Sequence, residues 1–140
     1  MSHYVLKERI EDLEAEVFVF DAVKTMYGGK HIAAGDVAFL FASDHEGGSG
    51  LFARGVVTSA EPVPRVPGVA RQTPRVNVVV RRTGTARRPL GRTELRRFSD
   101  WGDGLPETEL NFKFYRQATN KIAGVGPEVA TFLNGFFDSG

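Results

Sequence analysis

The stretch YRQATNK, residues 115–121, concentrates side chains that can hold a polar ligand. Tyr115 offers an aromatic face, and Arg116 and Lys121 offer cationic donors. Asn120, like Gln117, carries an amide that both donates and accepts hydrogen bonds. A polar cluster between two apolar runs is either a solvated turn or a place where side chains converge on a ligand. The cluster alone is compatible with both interpretations.

A block of arginines forms the second group of residues with recognisable chemistry. Residues 51–98 hold eleven basic residues, all of them arginine, and two acidic ones, whereas both flanks are acidic and the whole chain carries a net charge of +1. A guanidinium matches phosphate oxygens in pairs and stacks on bases. Six of these residues are predicted to contact phosphates: Arg81, Arg82, Arg87, Arg88, Arg96 and Arg97. The alternative is that the arginines pair with the acidic flanks once the chain folds.

Known catalytic and metal-binding patterns are absent from the sequence. There is no cysteine, and there is no H-E-x-x-H, G-x-S-x-G, P-loop or G-x-G-x-x-G motif. His3 and His31 have no carboxylate or thiolate at metal-ligand spacing, so we predict no metal, no cofactor and no catalytic residue. Residues 44–46 (DHE) lie together on a glycine-rich loop, but neighbours in an extended chain point in opposite directions. A small hydrolase using His45 or Lys121 is therefore only the third hypothesis.

Length and composition predict one globular domain spanning residues 1–140. Hydrophobic residues make up 41% of the chain and charged residues 25%, which are ordinary values. No apolar run approaches the roughly 20 residues that a membrane span needs, and the first residues lack the apolar core of a signal peptide. We therefore expect a cytoplasmic protein with no membrane partner, and the absence of cysteine suits a reducing compartment.

Apolar patterning predicts a mainly β chain with a few helices. Strands are predicted at 16–20, 35–43, 50–64 and 75–82, and the second and third of these form an antiparallel hairpin. Residues 112–115 alternate like a further, half-buried strand, and residues 1–16 fit a strand or a helix. Helices are predicted at 20–29, 91–101 and 126–138. Five or six strands with short helices close most naturally into a small mixed barrel.

The central hairpin resembles that of the PUA-like superfamily and, within it, the EVE domains, which are related to the YTH domains. The matching residues are Gly35-Asp36, Phe39-Leu40-Phe41, Ser43, Gly50 and residues 53–57 (ARGVV). The resemblance implies an α+β fold: a small mixed, mainly antiparallel β-barrel with short inserted helices and a C-terminal helix. It further implies a pocket for one flipped base, often a modified one. The implied partner is DNA or RNA, in some members together with a separate nuclease.

On this resemblance we predict a base pocket of six residues: Ser43, Trp101, Tyr115, Arg116, Asn120 and Lys121. Ser43 matches a polar position of the family pocket, the two rings would stack on a base, and the others would supply hydrogen bonds. Each has a structural alternative, since Trp101 can be a core lid and Asn120 can hold a turn. The predicted function is a nucleic-acid-binding module without catalysis. A small-molecule or protein-interaction module on the same fold is the alternative.

Overall fold

Six strands form a closed barrel with the neighbour order β1-β3-β4-β5-β2-β6. The structure is a computed structural model and describes residues 2–43, 50–117 and 119–137. The strands are β1 (His3–Glu8), β2 (Val17–Met26), β3 (Val37–Ala42), β4 (Gly50–Pro62), β5 (Arg75–Thr85) and β6 (Lys121–Val125). β1 pairs with β3, and β2 with β6, in parallel; the other four pairings are antiparallel. The predicted mixed, mainly antiparallel barrel is confirmed.

Side chains alternate between the inside and the outside of this barrel, as they must in β-strands. Tyr4 and Leu6 belong to a core cluster that also contains residues of all the other strands, and this cluster fills the barrel. Val5 and Phe39 belong to a second buried cluster that includes residues of the helices. One wall of the barrel is therefore buried on both faces, which explains the nearly continuous apolar run at 37–42.

The helices cover this outer wall. They are α1 (Arg92–Leu95), α2 (Pro106–Asn111) and α3 (Pro127–Asn134), and α2 continues into one π-helical segment, Phe112–Arg116. Leu95, Leu110 and Leu133 are fully buried in the outer cluster. A short 3-10 turn, Gly29–His31, precedes β3. In the part of the chain that the structure describes, no helix is long and apolar enough to cross a membrane.

The hairpin of β3 and β4 and the C-terminal helix are confirmed, but two predictions are wrong. Residues 20–29 are not a helix, because β2 continues through them as far as Met26. Residues 112–115 are helical rather than extended. The ambiguous N-terminal segment forms strand β1, and the helix predicted over 91–101 is limited to the single turn of α1.

Candidate functional site

A cavity of about 520 Å³ opens on one side of the barrel, between residues 8–12 and 17–21. We call it the mouth cavity. It exists because β6 pairs with β2 only at Thr25 and Met26, so that the first half of β2 is paired only on its β5 side within the described residues. Its apolar lining includes the rings of Phe18 and Phe20, both 6% exposed, together with aliphatic side chains of the same segments. Its volume lies in the range of ligand pockets.

The end of β1 places a carboxylate at this cavity. Oε1 of Glu8 accepts hydrogen bonds from Nδ2 of Asn120 and from the backbone N–H of Arg9, each at 3.0 Å. The backbone oxygen of Glu8 accepts from the N–H of Ser43, also at 3.0 Å. The structure thus brings Ser43 and Asn120, two of the predicted pocket residues, together at Glu8.

A β-bulge shapes the opposite rim of the mouth cavity. The register between β2 and β5 shifts between Phe20 and Val23, where Asp21 and Ala22 lie opposite the single residue Asn77. Ala22 has a left-handed φ of 52°. Its N–H donates to Oδ1 of Asn77 at 2.7 Å, and its carbonyl accepts from Arg75 at 2.6 Å. Bulges and left-handed non-glycine residues concentrate at functional sites, and this one leaves Asp21 on the cavity rim.

Arg82 holds the loop 9–16, which precedes β2, at the same end of the barrel. Its guanidinium lies 5.3 Å from the ring centre of Phe18 and 5.8 Å from that of Phe52. It donates to the carbonyl oxygens of Ala15, at 2.9 Å, and Leu13. A further donor meets the Thr85 hydroxyl at 3.0 Å. Much of the donor capacity of Arg82 is thus used within the protein.

The loop 86–91 of the arginine-rich segment lies at this barrel end as well. β4 begins beside the end of β1, because Ala42 pairs with both Glu8 and Gly50. The loop 86–91 lies beside the start of β4, because the N–H of Ala86 donates to the carbonyl of Phe52 at 3.0 Å. The side chains of this loop therefore lie at the same end as the mouth cavity.

The predicted phosphate-contacting arginines differ in their surroundings. Arg88 stacks at 4.1 Å over Phe136, and Arg97 at 4.8 Å over Phe98. Arg87 donates to the carbonyl of Gly135 at 3.2 Å. Arg81 and Arg96 are exposed on the surface. Within the described ranges, no carboxylate forms an ion pair with five of the six: Arg81, Arg82, Arg88, Arg96 and Arg97.

Trp101 and Tyr115 fall into separate groups of contacts. Trp101 is 41% exposed, meets Phe112 at 5.5 Å and carries the Arg116 guanidinium 5.1 Å from its ring centre. Tyr115 is 5% exposed and lies in the outer core cluster, with Arg92 5.0 Å above its ring. No ring contact among the described residues joins the two, so that the six-residue pocket stays a prediction.

Lys121 lies on the outer side of β6, opposite to Ile122, and is fully buried. Its ammonium donates to the carbonyl oxygens of Lys113 and, at 2.7 Å, Gln117. Lys7 is also buried, pairs with Lys121 in register and donates to the carbonyl of Phe114 at 2.7 Å. Burial, and to a smaller degree the charge of Lys7, lowers the pKa of Lys121 to about 8. The two lysines bind carbonyls of the π-helical segment, much as basic residues satisfy helix C-termini.

Three residues at the mouth cavity were missed by reasoning from the sequence: Glu8, Phe20 and Asp21. The segment EVFVF was predicted only as a strand, and no pattern marked Phe18 and Phe20 as the lining of an opening. The DHE stretch with His45 lies outside the described residues. Among the described residues, no group of three or more His, Asp or Glu side chains could hold a metal ion.

No protein-family model and no curated protein matches the chain. Solved structures do match it over 96% of its length. Human THYN1 protein in complex with 5-methylcytosine-containing DNA is 19% identical, with 96% of that chain covered and a TM-score of 0.67. The DUF55 domain of human thymocyte nuclear protein 1 is 18% identical, with 97% covered and a TM-score of 0.66. A Pseudomonas putida protein is 17% identical, with 99% covered and a TM-score of 0.65. This chain therefore shares its fold with these solved structures, and the small mixed barrel implied by the resemblance of its central hairpin is confirmed.

Proposed function

We propose that this protein is a nucleic-acid-binding module without catalysis that holds one flipped base in the mouth cavity. The observation that carries the proposal is that a cavity lined by aromatic rings and the arginine-rich loop 86–91 share one end of the barrel. A flipped base needs an apolar or aromatic enclosure and hydrogen bonds to its edge. Its phosphates need cations outside that enclosure, because the charged side chains of the cavity are four carboxylates and one arginine, Arg9.

The comparison with solved structures supports DNA as the polymer. A protein with the same fold has been solved with DNA that contains 5-methylcytosine. Ser43 and Asn120 are the predicted pocket residues that bond Glu8, a residue of the cavity lining, and we propose that they act on the cavity through it. The proposed phosphate contacts with the fewest bonds inside the protein are Arg81, Arg88, Arg96 and Arg97. RNA as the polymer, a modification on the base, and a nuclease partner stay predictions.

Binding to labelled oligonucleotides at several salt concentrations tests the proposal. Fluorescence anisotropy should show saturable binding, with a log–log salt slope on the order of −3 to −4 if four phosphates are contacted. Replacing Arg88 and Arg96 by glutamine should weaken binding and reduce the magnitude of the slope by about 1 to 2.

The matched control replaces Arg65 and Arg71, which are exposed on the loop between β4 and β5 at the other barrel end. That double variant removes the same charge and should bind like the parent protein. If both double variants bind oligonucleotides equally weakly, then binding depends on net charge and not on the position of the arginines. Absence of binding up to high micromolar protein at low salt would refute the proposal.

One observation favours the alternative of a small-molecule or protein-interaction module. A second cavity, of about 500 Å³, lies at the other end of the barrel between residues 62–66, residues 72–76 and Lys30. Gln72 holds its wall in place by donating to the carbonyls of Val66, at 2.8 Å, and Val69, at 2.9 Å. If oligonucleotides fail to bind, this cavity becomes the site to test.

A further inference from the structure

The second cavity, of about 500 Å³, differs from the mouth cavity in the charge of its lining. Its apolar lining consists of prolines and valines from the segments 62–66 and 72–76. Val76 is 2% exposed and Val66 is 59% exposed, so the apolar lining extends from the protein core to the surface. The charged side chains that line this cavity are all basic: Lys30, Arg65 and Arg75.

Hydrogen bonds hold the two lining segments at a defined separation. The side-chain amide of Gln72 accepts from the N–H of Val66 at 2.8 Å and donates to the carbonyls of Val66 and Val69. At the base of the loop, the N–H of Val63 donates to the carbonyl of Arg75 at 2.9 Å. The shape of the cavity is therefore determined by the fold of this loop, and its volume lies in the range of ligand pockets.

The three basic side chains keep donors that the protein does not use. Nη1 of Arg75 donates to the carbonyl of Ala22 at 2.6 Å, which holds the guanidinium in place and leaves most of its N–H donors for a ligand. Nη2 of Arg65 lies 3.4 Å from the carbonyl of Ala70, which is a long contact. Among the residues that the structure describes, no carboxylate forms an ion pair with any of the three, and the ammonium of Lys30 makes no hydrogen bond.

We infer that the second cavity binds a small organic anion with an apolar body, of the class of medium-chain carboxylates. The prolines and valines cover the apolar body, and the ammonium and guanidinium groups face the carboxylate. A neutral apolar molecule leaves these cations without a counterion, and an inorganic anion leaves the exposed Val66 in water. The inference does not rest on the proposed function, because this cavity lies at the other end of the barrel from the mouth cavity.

Isothermal titration calorimetry with octanoate, hexanoate, octanamide and acetate tests the inference. Octanoate should bind saturably, with a dissociation constant on the order of 1 mM or below. Hexanoate should bind roughly 10-fold more weakly, because its shorter chain covers less of the apolar lining. Octanamide, which has the same chain without the charge, should bind at least about threefold more weakly than octanoate. Acetate, which has the charge without the chain, should show no saturable binding in the same range.

Substitutions of single basic residues locate the site. Arg65→Gln and Lys30→Gln should each weaken octanoate binding by about 2- to 5-fold. Arg71→Gln is the matched control, because Arg71 is exposed on the same loop but does not line the cavity. It should bind octanoate like the parent protein, and thermal unfolding should confirm that all three variants are folded. In NMR spectra of the parent, octanoate should shift the backbone N–H signals of residues 62–66 and 72–76.

Three results would overturn the inference. Octanamide could bind as tightly as octanoate, Arg71→Gln could weaken octanoate binding as much as Arg65→Gln does, or octanoate could fail to bind or could shift signals elsewhere in the barrel. These mixtures contain no nucleic acid, so each of these results would leave the proposed function intact.

Discussion

The buried ammonium of Lys121 gives a quantitative test of where this side chain lies. Its pKa is about 8 in the folded protein, because burial and then the charge of Lys7 disfavour the protonated form. In the unfolded chain the pKa returns to about 10.4. Between these values the unfolded state binds more protons, so the stability of the fold rises as the pH increases. Between about pH 7 and pH 9.5 the gain is on the order of 2 kcal/mol.

The perturbation is Lys121→Met, which keeps most of the apolar stem and removes the titrating group. Urea unfolding at several pH values between about 7 and 9.5 gives the free energy of unfolding of the parent and the variant. The difference between them should change by about 2 kcal/mol across this window. Measurements should stop below pH 10, because burial, followed by the charge of Asp36, raises the pKa of Tyr4. Unfolded tyrosine ionises near pH 10, so its contribution to stability falls above that value.

Lys30→Met is the control, because Lys30 is exposed and its removal should leave the pH profile of the parent unchanged. If the parent and Lys121→Met have parallel pH profiles, then Lys121 is not buried among the carbonyls of the π-helical segment. A solvent-accessible Lys121 would again be available to a ligand, as the sequence suggested.

Two further substitutions test how the barrel end and the barrel closure are held. Arg82→Lys should destabilise the fold by about 1 to 2 kcal/mol, because lysine cannot stack on Phe18 while donating to two carbonyls. Hydrogen exchange should become faster in residues 9–16, and unchanged exchange there would contradict the role given to Arg82. Gly29→Ala should cost roughly 1 to 3 kcal/mol, because a Cβ at this position would lie 2.1 Å from the carbonyl oxygen of Ile122. Gly102→Ala, whose Cβ would approach nothing closer than 4.0 Å, should leave the melting temperature unchanged, and equal effects would show that the close approach is not the cause.

The strands that the sequence predicted best are those with long apolar runs between clear turn residues. β3 and β4 follow this rule, and they pair as the antiparallel hairpin that the sequence predicts. β2 was misassigned because its bulge at Asp21 and Ala22 adds one residue between inward-facing positions. The inward spacing from Phe20 to Val23 is then three rather than two, which imitates a helix.

The π-helical segment was predicted as a strand because its local pattern of side chains imitates one. Phe112 and Phe114 alternate with Lys113 as in a strand, yet the segment continues α2, which starts at Pro106. Lys113 pairs with Glu109 at 3.0 Å, one helical turn earlier. The positions Leu110 and Phe114, four apart and both fully buried, carried the helical signal that the local alternation masked.

The candidate site could be predicted only in part, because it is assembled from distant segments. Ser43 and Asn120 were identified individually, but their common partner Glu8 is 35 and 112 positions away from them in the sequence. The grouping of Trp101 with Tyr115 assumed that both lie on one face, and the contacts place them in different groups. Charge counting found the arginine-rich segment, but the stacking of Arg82 inside the barrel end depends on rings from β2 and β4.

The preference for a particular base should depend on the residues that line the mouth cavity rather than on the fold. At 19% identity a shared barrel preserves backbone geometry, whereas most side chains of the cavity are free to differ. In this chain the lining combines Phe18 and Phe20 with aliphatic side chains, four carboxylates and Arg9. Phosphate contacts add affinity without distinguishing bases. If the proposed function holds, we therefore expect affinity and base choice to be separable, because the arginines would contribute to the first and the residues of the mouth cavity to the second.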